Sequence, residues 1–137
     1  MKRLYMTIWI GVIAVGSFVP AGWAQKESQV FMRRKLAYAG GVLNGLVLQK
    51  YDLVISNAVP LRDMSVTNAF SALQNPEYMS RTTNFYKAVD SLISAAKSQN
   101  LDRATDAYAR VTRSCVDCHQ FFRREQRVKT PEPRTTK

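Results

Sequence analysis

The 137-residue chain is 46% hydrophobic and carries 20 basic against 10 acidic side chains, a formal net charge of +10. A chain of that length builds one domain around one modest core. Two cysteines and a single histidine leave too few ligands for a zinc site made of Cys and His.

The chain opens like a secretion signal. Lys2 and Arg3 form a short basic start, and residues 4–19 are uncharged and mostly apolar. Gly22 and Ala24 then supply the small residues that suit cleavage before Gln25. The apolar run is short for a bilayer-spanning helix, so a cleaved signal peptide over 1–24 is expected in preference to an anchor. No stable membrane insertion is expected after cleavage. Export makes nucleic acid an unsuitable partner. Without Lys2 and Arg3 the chain keeps 18 basic and 10 acidic side chains, a net charge of +8. That surface suits docking to an acidic redox partner or an anionic membrane.

The body of the chain, 25–127, reads as helical throughout, with no alternating strand pattern. A first helix is expected over 28–49, capped by Ser28 and presenting a broad apolar face from Val30 to Val47. Gly40, Gly41 and Gly45 lie inside it; glycine is unfavourable there by about 1 kcal/mol relative to alanine. They imply that another helix or a cofactor face comes close. A second helix is expected over 52–68 from Asp52, bent or split at Pro60. Residues 71–79, with Asn75-Pro76, read as an ordered loop. A third helix over 80–99 carries Phe85, Val89, Leu92 and Ala96 at helical spacing and ends near Asn100. A fourth, capped by Asp102, runs to 127. Residues 128–137 read as a disordered tail. Short connections on either side of a longer central loop give an antiparallel four-helix bundle, an all-α fold.

The fourth helix has the cleanest stripe: Ala104, Ala107, Val111, Cys115, Cys118, His119 and Phe122. Within it Cys115-Val116-Asp117-Cys118-His119 is C-x-x-C-H, the pattern for covalent attachment of c-type haem. The spacing puts all three side chains on one helical face. Two thiols can then join the two haem vinyl groups, leaving His119 as proximal iron ligand. A thioredoxin-like redox pair would need a βαβ context, and zinc would need further ligands. A simple disulfide is the remaining alternative. One covalent haem c on the last helix, hanging into the bundle interior, fits best. The motif uses the only histidine, so the sixth iron position falls to Met, Lys, Tyr, an apolar group or nothing. Antiparallel first and last helices put the level of His119 near the mid-30s. Met32 is the candidate distal iron ligand there, or an ordinary core methionine; Leu36 would instead block the site.

These features resemble the cytochrome c′ family and its low-spin monohaem relatives. The resemblance covers nearly the whole chain after the signal and is carried by C-x-x-C-H near the end of the last helix. The stretch Ser114-Cys115-Val116-Asp117-Cys118-His119-Gln120-Phe121-Phe122-Arg123 is similar to that family's ending. Arg123 matches the family's basic residue four after the ligand histidine. The resemblance puts Leu36 at the distal position. It puts Met32 where the family often has an arginine that contacts a haem propionate. Signal and motif together point to a periplasmic protein, and no enzyme activity is expected; bundles of this type often pair as homodimers. Two functions follow. One is electron transfer. The other is a five-coordinate haem that binds a small gas such as nitric oxide or carbon monoxide. A peroxidase would need distal acid–base groups that a chain with one histidine lacks.

Overall fold

The computed structural model describes residues 21–66 and 75–129. The expected signal segment up to residue 20, the stretch 67–74 and the end of the tail, 130–137, lie outside the described residues. Among the described residues four helices follow one another: α1 (Ala21–Val47), α2 (Tyr51–Val66), α3 (Pro76–Lys97) and α4 (Leu101–Lys129). Contacts join α1 to α2, α2 to α3 and, most extensively, α3 to α4. The α1–α4 pair touches least. This is the antiparallel four-helix bundle that the periodicity predicts.

The boundaries differ from the expected ones for local reasons. Ser28 is not a cap: α1 begins at Ala21 and crosses the expected cleavage junction, because Ala24-Gln25-Lys26-Glu27 contains no helix breaker. Asp52 lies in the first turn of α2, where a carboxylate offsets the positive end of the helix dipole. Pro60 neither splits nor ends α2; buried Ala58 and Leu61 on either side hold the helix against its neighbours. Asn75-Pro76 starts α3 and is not loop: the Asn75 side chain accepts a hydrogen bond from the Glu77 N–H at 2.8 Å, and Pro76 occupies the first helical position.

The two tight turns share one design. Gln49 and Gln99 take left-handed backbone angles, φ 52° and 51°. Gln49 N–H donates to the Leu46 carbonyl and Lys50 N–H to that of Gly45; Gln99 and Asn100 donate likewise to Ala96 and Ala95. These pairs close the ends of α1 and α3. Asn100 then caps α4, its side-chain oxygen accepting from the Arg103 N–H at 2.9 Å. That role had been expected of Asp102. At its far end α4 reaches Lys129, beyond the expected limit of 127.

The core occupies the half of the bundle next to these two turns. Val42, Val54, Ala58, Val89, Leu92, Ala104 and Ala107 are sealed from solvent. The glycines divide. A Cβ on Gly45 would sit 2.8 Å from both the backbone nitrogen and a methyl of Val54, and one on Gly41 would strike the Asn57 side chain. Both therefore serve the close α1–α2 approach. Gly40 has open space around it.

Candidate haem-binding site

Beyond Tyr108 the bundle opens. The Tyr108 hydroxyl donates to the Ala39 carbonyl at 3.0 Å and ties α4 to α1 at the boundary. Past that bond the two helices enclose a cavity of about 420 Å³, walled also by α2 and α3. Its apolar wall includes Phe31, Ala39, Leu61, Phe85 and Phe122.

Helical spacing brings Cys115, Cys118 and His119 to this cavity together. Both cysteines are half-buried free thiols. Burial pushes both thiols up, opposed by the positive charge of Lys35 and, at Cys118, of Arg81 as well. His119 borders the cavity with its ring exposed. The stripe of α4 changes character here: Ala104, Ala107 and Val111 are buried, and the motif residues turn to the open space. Phe121, not Phe122, is the buried phenylalanine of the last turns, stacked under the Arg81 guanidinium at 5.1 Å. Phe122 lies edge-on to Tyr78 with centroids 5.8 Å apart and lines the cavity.

On α1, Met32 and Leu36 both border the cavity. Leu36 is 74% exposed and sits at the rim, whereas Met32 is half-buried. The inward stripe of α1 runs Met32, Lys35, Ala39, Val42, Leu46, at the i, i+3, i+7 spacing of a core face. Leu36 belongs to a second, outward stripe with Gly40, Leu43 and Val47. Met64 of α2 also reaches the cavity; Met79 is exposed and does not. Arg123 is exposed on α4 and lies outside the cavity wall.

Lys35 and Arg81 are cavity residues that sequence reasoning missed. Lys35 carries its ammonium over the Phe85 ring, 4.2 Å from the centroid, with Phe31 at 5.6 Å. Arg81 pairs with Glu77 and donates to the Asp117 carbonyl at 3.4 Å; its Nε is buried with no partner. The signal for Lys35 was present in the stripe from Met32 to Leu46, which passes through it. Arg81 gives no comparable signal, since its neighbours are set by the α3–α4 packing.

The residues present fit a haem. A half-open, mostly apolar cavity of this size accepts a flat cofactor. Two free thiols and an imidazole share one face of it, and an unpartnered buried N–H stands at its wall. Among the described residues no group of three or more His, Cys, Asp and Glu is placed to hold a bare metal ion.

The sequence model of the cytochrome c′ family matches residues 67–123, which take in α3 and most of α4 with the motif. No curated protein sequence matches the chain significantly. Among solved structures, the fold is similar to the nitric oxide complex of a leucine-to-alanine mutant of cytochrome c prime from Alcaligenes xylosoxidans. The TM-score is 0.62 at 18% identity, over 76% of this chain and 95% of that one. Sequence match and fold agree with the cavity: residues 67–123 match the cytochrome c′ family, whose proteins carry one covalent haem c, and the four-helix bundle is similar to that of a solved cytochrome c prime.

Proposed function

We propose that this protein is a periplasmic monohaem cytochrome that transfers single electrons, made with a signal peptide over 1–24 and folded from Gln25. Cys115 and Cys118 attach the haem. Each S–H would add across one vinyl C=C of the haem, sulfur to one carbon and hydrogen to the other, with no net oxidation. His119 is the proximal iron ligand. The haem supplies the Fe(III)/Fe(II) couple. Phe85, Leu61 and Phe122 exclude water from it, which disfavours the more charged ferric state and raises the potential.

The observation that carries electron transfer over gas binding is the phase of α1. Met32 is half-buried at the cavity wall, and Leu36 is turned largely to solvent. Met32 would then be placed to hold the iron together with His119, a pairing that would favour electron transfer. Gas binding is the second reading, with the nitric oxide complex of the solved relative in its favour. It requires Leu36 to turn inward and Met32 to stay off the iron.

The visible spectrum of protein matured in a periplasm decides between them. Sharp split bands in the reduced form, unmoved by carbon monoxide, are expected. Broad high-spin bands that shift with carbon monoxide would establish the gas-binding reading instead.

Two partners complete the proposal. Arg33, Arg34, Arg123 and Arg124 are exposed on α1 and α4, the two helices that carry Met32 and the C-x-x-C-H motif, and suit an acidic redox partner. The outward stripe of Leu36, Leu43 and Val47, with open Gly40 between, suits a second copy of the chain.

A further inference from the structure

Lys35 is out of place for a surface lysine. It stands on the inward stripe of α1, in line with Val42 at 0% and Leu46 at 6% exposure. Its neighbour Leu36, the residue chemically suited to an interior, is outside. The Lys35 ammonium reaches the far wall of the cavity and lies on the Phe85 ring. A cation is attracted to an aromatic face but is not neutralised by it. Among the described residues no carboxylate is within ion-pair distance of Lys35, and none lines the cavity. Arg81, the other cation at this wall, has Glu77.

A partly buried cation without an anion is unfavourable, and such groups occur paired. Burial accordingly pulls the Lys35 amine below its ordinary range, and the opposing influence comes from the Cys115 and Cys118 thiols.

We propose that Lys35 is the anion-pairing residue of this haem cavity: its ammonium, delivered from α1 to the Phe85 wall, takes an anionic group that no side chain among the described residues supplies. The inference rests on the haem reading above. The anion is a haem propionate where Met32 holds the iron; with the sixth position open it can instead be a small anion of the same chemistry bound at the iron.

The test uses the mature holoprotein with Lys35→Gln and Lys35→Arg, and Lys35→Leu in case glutamine is not accepted. Haem staining of the wild-type chain on a denaturing gel comes first; an unstained wild-type chain overturns the haem reading itself. With haem attached, two quantities are compared. One is the propionate bending band in the resonance Raman spectrum. The other is the affinity for azide beside that for carbon monoxide. A propionate partner moves the band in Lys35→Gln and leaves azide affinity alone. A small-anion partner lowers azide affinity roughly 10- to 100-fold, the worth of one charge-assisted hydrogen bond, and leaves carbon monoxide unchanged. Lys35→Arg should restore wild-type behaviour in either case. The proposal is overturned if the uncharged variants change neither quantity. It is also overturned if they convert six-coordinate to five-coordinate iron, since Lys35 would then be the iron ligand.

Discussion

The two halves of the bundle are made from the same four helices and the same core stripes, yet one is packed and the other hollow. Near the tight turns the stripes hold Val42, Leu46, Val89, Leu92, Ala104 and Ala107, aliphatic and small side chains that interlock. Past Tyr108 they hold Met32, Lys35, Cys115, Cys118 and Phe122, which line open space. Continuous helices and a changed set of side chains are enough to separate the two tasks. The packed half fixes the spacing of α1 and α4, and the hollow half inherits it. On the function proposed above, the cofactor would complete the second half of the core.

If that division holds, the largest effect comes from removing the attachment. Cys115→Ser with Cys118→Ser should abolish haem staining completely and lower the melting temperature relative to the holoprotein, because the ligand no longer stabilises the folded state. Staining that persists would break the comparison at its root. The packed half should respond next. Leu92→Ala removes a side chain with 0% exposure and should destabilise the chain by about 2–5 kcal/mol in a urea melt. Met64→Ala at the half-exposed cavity wall should cost the haem-free chain far less, since the space beside it is already open. Equal losses at the two sites would mean that the hollow half is packed in solution.

Much of this division was legible in the sequence. Val89, Leu92 and Ala96 on α3, and Ala104, Ala107 and Val111 on α4, repeat at helical spacing and are the buried residues. C-x-x-C-H continues the α4 stripe, so the motif and the cavity coincide. The phase of α1 was not legible. That helix carries two apolar stripes, one through Val42 and Leu46, one through Leu36, Leu43 and Val47. Periodicity alone cannot say which faces inward when both qualify. The choice is made by Gly45, whose bare backbone admits Val54, and that contact exists only in three dimensions. Asn75-Pro76 misled for a different reason. The residues that make a turn also cap a helix, and the hydrogen bond from Glu77 decides between them.

The smallest effect tests the same choice of phase with a single methyl group. Gly45→Ala puts that methyl 2.8 Å from the Val54 backbone nitrogen, which cannot retreat without moving α2. It should destabilise the chain by roughly 1–3 kcal/mol, as overpacking does. Gly40→Ala has nothing within 4 Å and removes a poor helix former, so it should stabilise by about 1 kcal/mol. The opposite signs, five residues apart on one helix, follow only if the Gly45 side faces α2 and the Gly40 side faces out. The melts belong at low protein concentration, because Gly40 lies within the stripe proposed for a second copy. A gain from Gly40→Ala that shrinks as concentration rises would mean that the added methyl obstructs the pairing while still favouring the helix.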